Sequence, residues 1–262
     1  MQVETIQTER FAMNYCRFGQ GKRKLVILPG LSVQPVLAAG DAIAQAYSLL
    51  AEDFTLYLFE RRSDLPESYS VQDMAEDTAC VFRALDLGPV CLFGASQGGM
   101  MAMEIAIRHP ELVERLILGS TSAYVSPERY ELFAKWIRLA REGKAEDLYL
   151  GFSRALFPES VFEAYRAFFL DSAKTVTKEE LSRFIILAEG LKGFDLRASL
   201  GQIACPVLVI GSEDDKVLGG EASRQIARGI PGSELKMYEA YGHAAYDVAP
   251  DYREQMLRFF TR

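Results

Sequence analysis

The chain has 262 residues, of which 49% are hydrophobic and 25% are charged, and its formal net charge is −7. This composition is ordinary for a globular protein and argues against a disordered chain. The negative charge offers no attraction to phosphate backbones, so we expect no nucleic-acid partner. No run approaches the roughly 18 apolar residues that span a bilayer, and the polar start from Met1 to Glu9 lacks the apolar core of a signal peptide. We therefore expect a cytoplasmic protein without a membrane partner.

The chain lacks the cysteine, histidine and glycine patterns that predict a metal or dinucleotide site. The four cysteines are dispersed among apolar segments, which is typical of buried, reduced thiols: Cys16, Cys80, Cys91 and Cys205. The chain has no C-x-x-C pair or Cys/His cluster for a metal and no G-x-G-x-x-G for a dinucleotide. The sequence thus predicts neither a metal nor an organic cofactor.

Strand and helix patterns alternate along most of the chain. Residues 11–17 predict an early antiparallel strand. Further strands, several of them unbroken apolar runs, are predicted at residues 25–28, 54–59, 90–93, 116–118, 207–210 and 235–238. Apolar side chains at helical spacing predict an amphipathic helix over residues 70–86, and Tyr252, Met256, Phe259 and Phe260 mark a final helix. Unbroken apolar strands are expected where helices cover both faces of a sheet, so we predict an α/β fold with a mostly parallel central sheet.

One long segment, residues 122–200, interrupts this alternation with helical signals only. Ser126-Pro127 is a helix start with serine as N-cap and proline at the first position, and Thr177-Lys178-Glu179-Glu180 is a capping box. Several aromatic residues lie between them: Trp136, Phe152, Phe157, Phe162, Tyr165, Phe168 and Phe169. We therefore expect residues 1–121 and 201–262 to form the core and residues 122–200 to form a helical insertion.

The main chemical signal is Gly94-Ala95-Ser96-Gln97-Gly98, a G-x-S-x-G sequence between a predicted strand and a predicted helix. This context is that of a nucleophile elbow, a tight turn that holds a serine hydroxyl clear of its neighbours. Glycines suit the turn because a Cβ at either position would crowd it. The alternative is an ordinary glycine-rich connection. We take Ser96 as the candidate nucleophile.

A serine nucleophile needs a base, which is usually histidine. The chain has two histidines. His109 precedes Pro110 at the predicted end of a helix, where the helix dipole favours it, so we expect no catalytic role. His243 lies in a glycine-containing loop between a strand and the last helix, a typical place for a catalytic group. His243 is the candidate base.

A third group must orient the imidazole, and Asp214 and Asp215 both follow the apolar run at residues 207–210. Both are expected at the carboxyl end of a parallel strand, where α/β sheets place their sites. The order serine, aspartate, histidine is that of the α/β-hydrolase triad. The remaining acidic residues of this turn are expected to be solvated.

Four further stretches support a resemblance to one known family. Residues 25–31 look like its strand and oxyanion loop, residues 108–118 like the helix and strand after its elbow, and Gly242-His243 like its histidine loop. In Gly211-Ser212-Glu213-Asp214-Asp215-Lys216-Val217 the acid is expected three residues after the glycine, which favours Asp214 over Asp215. On these motifs the chain resembles the α/β-hydrolase superfamily over nearly all of its length.

The resemblance implies that backbone N–H groups of Leu31 and Gln97 form an oxyanion hole. Two stretches depart from the common pattern: Pro29-Gly30 stands where the family has His-Gly, and Glu60-Arg61-Arg62-Ser63 stands where it has Asp-x-Arg-Gly. The resemblance also implies that residues 122–200 are a cap over the active site. A cap needs an apolar underside, and we select Trp136 and Phe168 as candidate substrate-binding residues.

These parts predict a serine hydrolase that acts on a small carboxylic ester or a related acyl compound, with a small-molecule substrate as its partner. Ser96 attacks the acyl carbonyl, His243 takes its proton and Asp214 orients His243. Three alternatives remain open: hydrolysis of a carbon–carbon bond beside a ketone, acyl transfer to an alcohol or thiol, and a ligand receptor with negligible turnover. Serine at position 96 argues against haloalkane dehalogenation, for which the family uses an aspartate. Nothing in the sequence indicates the oligomeric state.

Overall fold

A computed structural model describes all 262 residues. Its centre is one sheet of eight strands: β1 (Val3–Gln7), β2 (Ala12–Phe18), β3 (Arg23–Leu28), β4 (Phe54–Arg62), β5 (Val90–Ala95), β6 (Val113–Gly119), β7 (Val207–Ser212) and β8 (Glu234–Tyr238). The strand order is β1-β2-β4-β3-β5-β6-β7-β8. Only the pairings of β1 with β2 and of β2 with β4 are antiparallel. The predicted mostly parallel sheet with an early antiparallel strand is confirmed.

Strand β1 was not predicted from the sequence. This strand is at the edge of the sheet, and none of its five residues is buried. It therefore lacks the apolar run by which the buried strands were recognised. Backbone pairing with β2, from Val3 opposite Cys16 to Gln7 opposite Ala12, forms it instead.

Ten α-helices accompany the sheet: α1 (Gly40–Ala46), α2 (Val71–Ala84), α3 (Gln97–Arg108), α4 (Pro127–Arg141), α5 (Ala145–Leu156), α6 (Glu159–Lys174), α7 (Lys178–Glu189), α8 (Gly220–Gly229), α9 (Ala245–Val248) and α10 (Tyr252–Phe260). Two separate apolar clusters lie on the two faces of the sheet. Val26 of β3 packs in the cluster that includes α2 and α3, whereas its neighbour Ile27 packs in the cluster that includes α10. Both faces are covered, which explains why the central strands read as continuous apolar runs.

Helices α4 to α7 lie between β6 and β7 in the chain, and no strand interrupts them. Their predicted starts are confirmed: Ser126 Oγ accepts from Arg129 N at 3.2 Å, and Thr177 forms a capping box with Glu180. The two ends of the segment are joined, because Val125 N donates to Phe194 O at 3.0 Å and Leu196 N donates to Ala123 O at 2.7 Å. The four helices thus leave the sheet and return to it at one place.

None of the helices has both the length and the apolar character needed to cross a bilayer.

Candidate active site

Ser96 lies in a strained turn between β5 and α3. Its φ of 52° and ψ of −120° are outside the regions that non-glycine residues favour. The turn is held from both sides, since Ser96 N donates to Gly119 O at 2.9 Å and Thr121 Oγ1 donates to Ser96 O at 2.6 Å. Such strain persists where the surroundings over-determine the backbone, and it is common at functional sites.

The glycines on either side of Ser96 permit this turn. A Cβ on Gly94 would lie 2.4 Å from Gly98 O, and a Cβ on Gly98 would lie 2.0 Å from Leu28 O. Either contact is impossible without moving backbone. The G-x-S-x-G spacing therefore reflects the close approach of α3 to the ends of β3 and β5.

His243 connects Ser96 to an aspartate. Ser96 Oγ lies 2.9 Å from His243 Nε2, and His243 Nδ1 lies 2.8 Å from Asp215 Oδ2. All three residues are buried. A carboxylate only accepts hydrogen bonds, so Nδ1 carries the proton and Nε2 is left to accept from the Ser96 hydroxyl. This is the tautomer that a general base needs.

The expectation that Asp214 contacts His243 is wrong, because Asp215 occupies that place. Asp215 Oδ1 accepts from Val217 N at 2.8 Å and from Leu218 N at 3.0 Å, which turns Oδ2 toward the imidazole. Asp214 Oδ1 points elsewhere and accepts from Ser212 Oγ at 2.6 Å and from Gly242 N at 2.8 Å. Asp214 thus anchors the loop that carries His243. The path of the turn after β7 separates the two carboxylates, and spacing from Gly211 does not reveal that path.

Asp215 is held in its ionised form. Burial raises the pKa of this carboxyl, but the neighbouring imidazole of His243 and the N–H groups of Leu218 and Val217 lower it by more, so the pKa lies below its ordinary value. A negative charge at this position stabilises an imidazolium at His243. His109 is remote from this arrangement: its ring lies 2.9 Å from both Glu76 and Arg83, at the end of α3.

Two backbone N–H groups lie in segments next to Ser96. Gln97 is the first residue of α3, so its N–H has no acceptor within the helix. Leu31 N donates no hydrogen bond to a backbone carbonyl. The loop before Leu31 approaches the nucleophile closely, since a Cβ on Gly30 would lie 3.1 Å from Ser96 Cβ. Both N–H groups are therefore available to an anion formed at Ser96.

A narrow cavity opens above Ser96 and His243. Its free volume is about 10 Å³, enough for about one water molecule. Four lining side chains come from α4 and α5, and seven of the nine are apolar: Leu31, Ser96, Phe133, Trp136, Phe152, Leu156, Val217, His243 and Tyr246. Four of these residues were not predicted from the sequence: Phe133, Leu156, Val217 and Tyr246. Nothing in their spacing distinguishes them from other core residues.

The two candidate substrate-binding residues differ in position. Trp136 is buried and lines the cavity beside Ser96. The expectation for Phe168 is wrong, because its side chain is 63% exposed and is not part of the cavity wall. On α6 the buried aromatic residues are Phe162 and Phe169, and Phe168 lies about 100° around the helix from Phe169. That rotation turns Phe168 outward.

Comparison with known proteins agrees with this architecture. The family model described as alpha/beta hydrolase fold matches residues 59–250. A protein of Agrobacterium fabrum named "Putative carbamate hydrolase RutD" is 26% identical over 238 residues, which cover 86% of this chain and 91% of that protein. Two solved structures superpose on nearly all of the chain. MGS-M2, an alpha/beta hydrolase enzyme from a Medee basin deep-sea metagenome library, has a TM-score of 0.89 at 20% identity and covers 99% of this chain and 98% of its own. The enol-lactonase from Burkholderia xenovorans LB400 has a TM-score of 0.86 at 18% identity and covers 99% of this chain and 100% of its own.

Proposed function

This chain belongs to the alpha/beta hydrolase fold family and is a hydrolase of that fold, and from this premise we propose that it is a serine hydrolase that cleaves a small carboxylic ester or a related acyl compound through an acyl-enzyme. One observation carries the proposal: the unbroken, buried line of hydrogen bonds from Ser96 Oγ through His243 to Asp215. A hydroxyl so connected can lose its proton as it attacks a carbonyl carbon.

The reaction follows from the contacts. Ser96 Oγ attacks the acyl carbon while its proton passes to His243 Nε2, and Asp215 stabilises the resulting imidazolium. The carbonyl oxygen becomes an oxyanion, to which the N–H groups of Leu31 and Gln97 donate. His243 then protonates the leaving alcohol, and Ser96 keeps the acyl group. A water molecule repeats the sequence and releases the acid.

The cavity favours a short, uncharged acyl group. Seven of its nine lining residues are apolar, and none is lysine or arginine. A free carbamate ion would bring a negative charge that no lining side chain pairs, and an unpaired buried charge is costly. Some relatives are named as carbamate hydrolases. Neutral carbamate esters, which have the same acyl centre without the negative charge, are therefore suitable members of a substrate panel.

We further propose that residues 122–200 act as a cap that selects the substrate. Helices α4 and α5 supply four of the nine residues around the cavity, whereas the reacting side chains come from loops of the sheet. A substrate that reaches Ser96 must therefore fit against these helices. This division assigns the chemistry to the core and the specificity to the inserted segment.

The test combines a substrate panel with active-site labelling. Wild-type protein and Ser96→Ala are assayed with p-nitrophenyl esters of increasing acyl length, with an uncharged carbamate ester and with free carbamate. A fluorophosphonate probe is applied in parallel, and mass spectrometry locates the label. We expect rapid turnover of short neutral esters and a label on Ser96 only. A label on Ser96 without turnover of any ester contradicts ester hydrolysis and points to carbon–carbon cleavage, acyl transfer or a receptor; absence of any label contradicts the nucleophile.

A further inference from the structure

The end of β4 carries an irregularity next to the site. Met13 of β2 pairs with Arg62 of β4, whereas Tyr15 pairs with Phe59. The two residue steps from Met13 to Tyr15 on β2 therefore lie opposite the three residue steps from Arg62 to Phe59 on β4. Strand β4 thus contains a β-bulge of one extra residue, which falls within Glu60-Arg61. Such bulges redirect side chains and are frequent beside active sites.

The redirected pair holds both ends of the loop that follows β3. Arg61 Nη2 donates to Pro29 O at 2.8 Å, two residues before Leu31. Glu60 Oε2 accepts from Val36 N at 2.7 Å. Leu31, which supplies one N–H of the candidate oxyanion hole, lies between these two anchor points.

Arg61 also contacts the residue that supplies the second N–H. The same Nη2 lies 3.2 Å from Gln97 Oε1, and Gln97 Nε2 donates to Leu187 O of α7 at 2.7 Å. One guanidinium nitrogen thus bridges the Pro29–Leu31 loop and the start of α3. Through Gln97 this bridge continues to the inserted helices.

Burial of the charged Arg61 side chain costs free energy, because the guanidinium loses its contact with water. Arg61 is only 2% exposed, and its Nε has no hydrogen-bond partner. Burial lowers the pKa of Arg61 to about 10, although Glu60 opposes this shift, so the group remains a cation at neutral pH. Apolar side chains often stabilise such positions better than charges do. The fold alone therefore gives little reason for an arginine here.

We propose that Arg61 is a positioning residue that keeps the Leu31 and Gln97 N–H groups at the separation that the oxyanion requires. The inference rests on the proposed function, because it assumes an oxyanion at Ser96. Arg61 touches neither Ser96 nor the cavity wall, so it acts through Pro29 and Gln97. Loss of its guanidinium leaves the buried Gln97 Oε1 and the half-buried Pro29 O without this donor and frees the two segments to move apart.

The test is Arg61→Met, with the rate constant for fluorophosphonate labelling and kcat and KM for a short ester as measurements. We expect labelling and kcat to fall about tenfold or more, with KM changed by less than threefold, because small displacements of oxyanion donors weaken transition-state stabilisation. Arg61→Lys keeps the charge and a nitrogen donor but loses the planar guanidinium, and it should recover part of the rate. Gln97→Met keeps the backbone N–H and removes the bridge from the other side, so it should cause a similar fall.

Arg62→Met is the matched control. Arg62 is the next residue of β4, but it donates to Asp77 and stacks on Phe11, away from Ser96. We expect a lower melting temperature with an unchanged rate per folded molecule. A labelling rate in folded Arg61→Met or Gln97→Met within threefold of wild type overturns the inference and leaves the proposed function intact. Wild-type protein that does not react with the probe overturns both. If Arg61→Met does not fold, Gln97→Met decides by the same criterion.

Discussion

Asp215 Oδ2 lies 2.8 Å from His243 Nδ1, while the carboxylate of the adjacent Asp214 binds Ser212 and Gly242. Two neighbouring side chains of the same type therefore have different tasks. Asp215 orients the imidazole, and Asp214 orients the loop that carries it. Substitution by asparagine separates these tasks because it keeps the size of each side chain and removes the charge.

We predict that Asp215→Asn lowers kcat/KM by about 10⁴, because an amide at this position favours the wrong histidine tautomer. Asp214→Asn should lower it by about tenfold or less, since Oδ1 of asparagine still accepts from Gly242 N. Steady-state kinetics with a short ester, together with melting temperatures for both variants, provide the comparison. A larger loss in Asp214→Asn than in Asp215→Asn would mean that the turn after β7 has been assigned incorrectly.

Ser96 and His243 should act as one unit. Ser96→Ala and His243→Ala are each expected to lower kcat by roughly three to six orders of magnitude, and the double variant should be little slower than either. The reason is that His243 has no proton to take once the serine hydroxyl is absent. Kinetics of the two single variants and the double variant decide the point; losses that multiply would show independent roles.

The free energy of unfolding at acid pH should depend on Asp215. Its pKa is depressed in the folded state, so its contribution to the free energy of unfolding is fully present above the unfolded-state pKa of about 3.9 and is lost as the pH falls through the lower folded-state value. Urea unfolding of wild type and Asp215→Asn between pH 5 and pH 3 measures this difference in the range where the carboxyl takes up its proton. We expect the difference in the free energy of unfolding between the two proteins to narrow as the pH falls below about 4. A difference that does not narrow at the acid end of this range would contradict the prediction.

Trp136 should limit the length of the acyl group, and Phe168 is its natural control. Trp136→Ala is expected to enlarge the cavity and move the preferred ester to longer chains, with each added methylene worth about 0.8 kcal/mol, or about fourfold in kcat/KM. Phe168→Ala should leave the preference unchanged, because that side chain is exposed.

The Trp136 substitution also costs stability, of the order of 3–5 kcal/mol for a buried tryptophan. Leu156→Ala provides a milder change of the same wall, since Leu156 lines the cavity from α5. If neither Trp136→Ala nor Leu156→Ala shifts the preferred acyl chain length, residues 122–200 do not select the substrate.

The alternation of apolar runs and amphipathic helices was sufficient to predict the α/β fold, and the G-x-S-x-G turn with His243 was sufficient to predict the family. These features are local: a buried strand must be apolar, and a turn that admits no Cβ must have glycine at Gly94 and Gly98. The edge strand β1 and the outward orientation of Phe168 were not predicted. Both depend on which elements of the fold pack against a given side of the strand or helix, and local sequence does not give this. The catalytic roles of Ser96 and His243 remain predictions for the variants above.

The amino-acid pattern alone was enough to name the residue types that meet at the site: one serine at a glycine-rich turn, one loop histidine and a pair of aspartates after a buried strand. Which aspartate faces the imidazole depends on long-range contacts, because the loop that carries His243 meets the turn from 28 residues further along the chain: His243 Nδ1 lies against Asp215 Oδ2, and Gly242 N donates to Asp214 Oδ1. The hydrogen-bond partners of Arg61 likewise depend on the tertiary structure. Its partners Pro29 and Gln97 are distant in the chain, and they become neighbours only when β4 lies beside β3 and carries its extra residue.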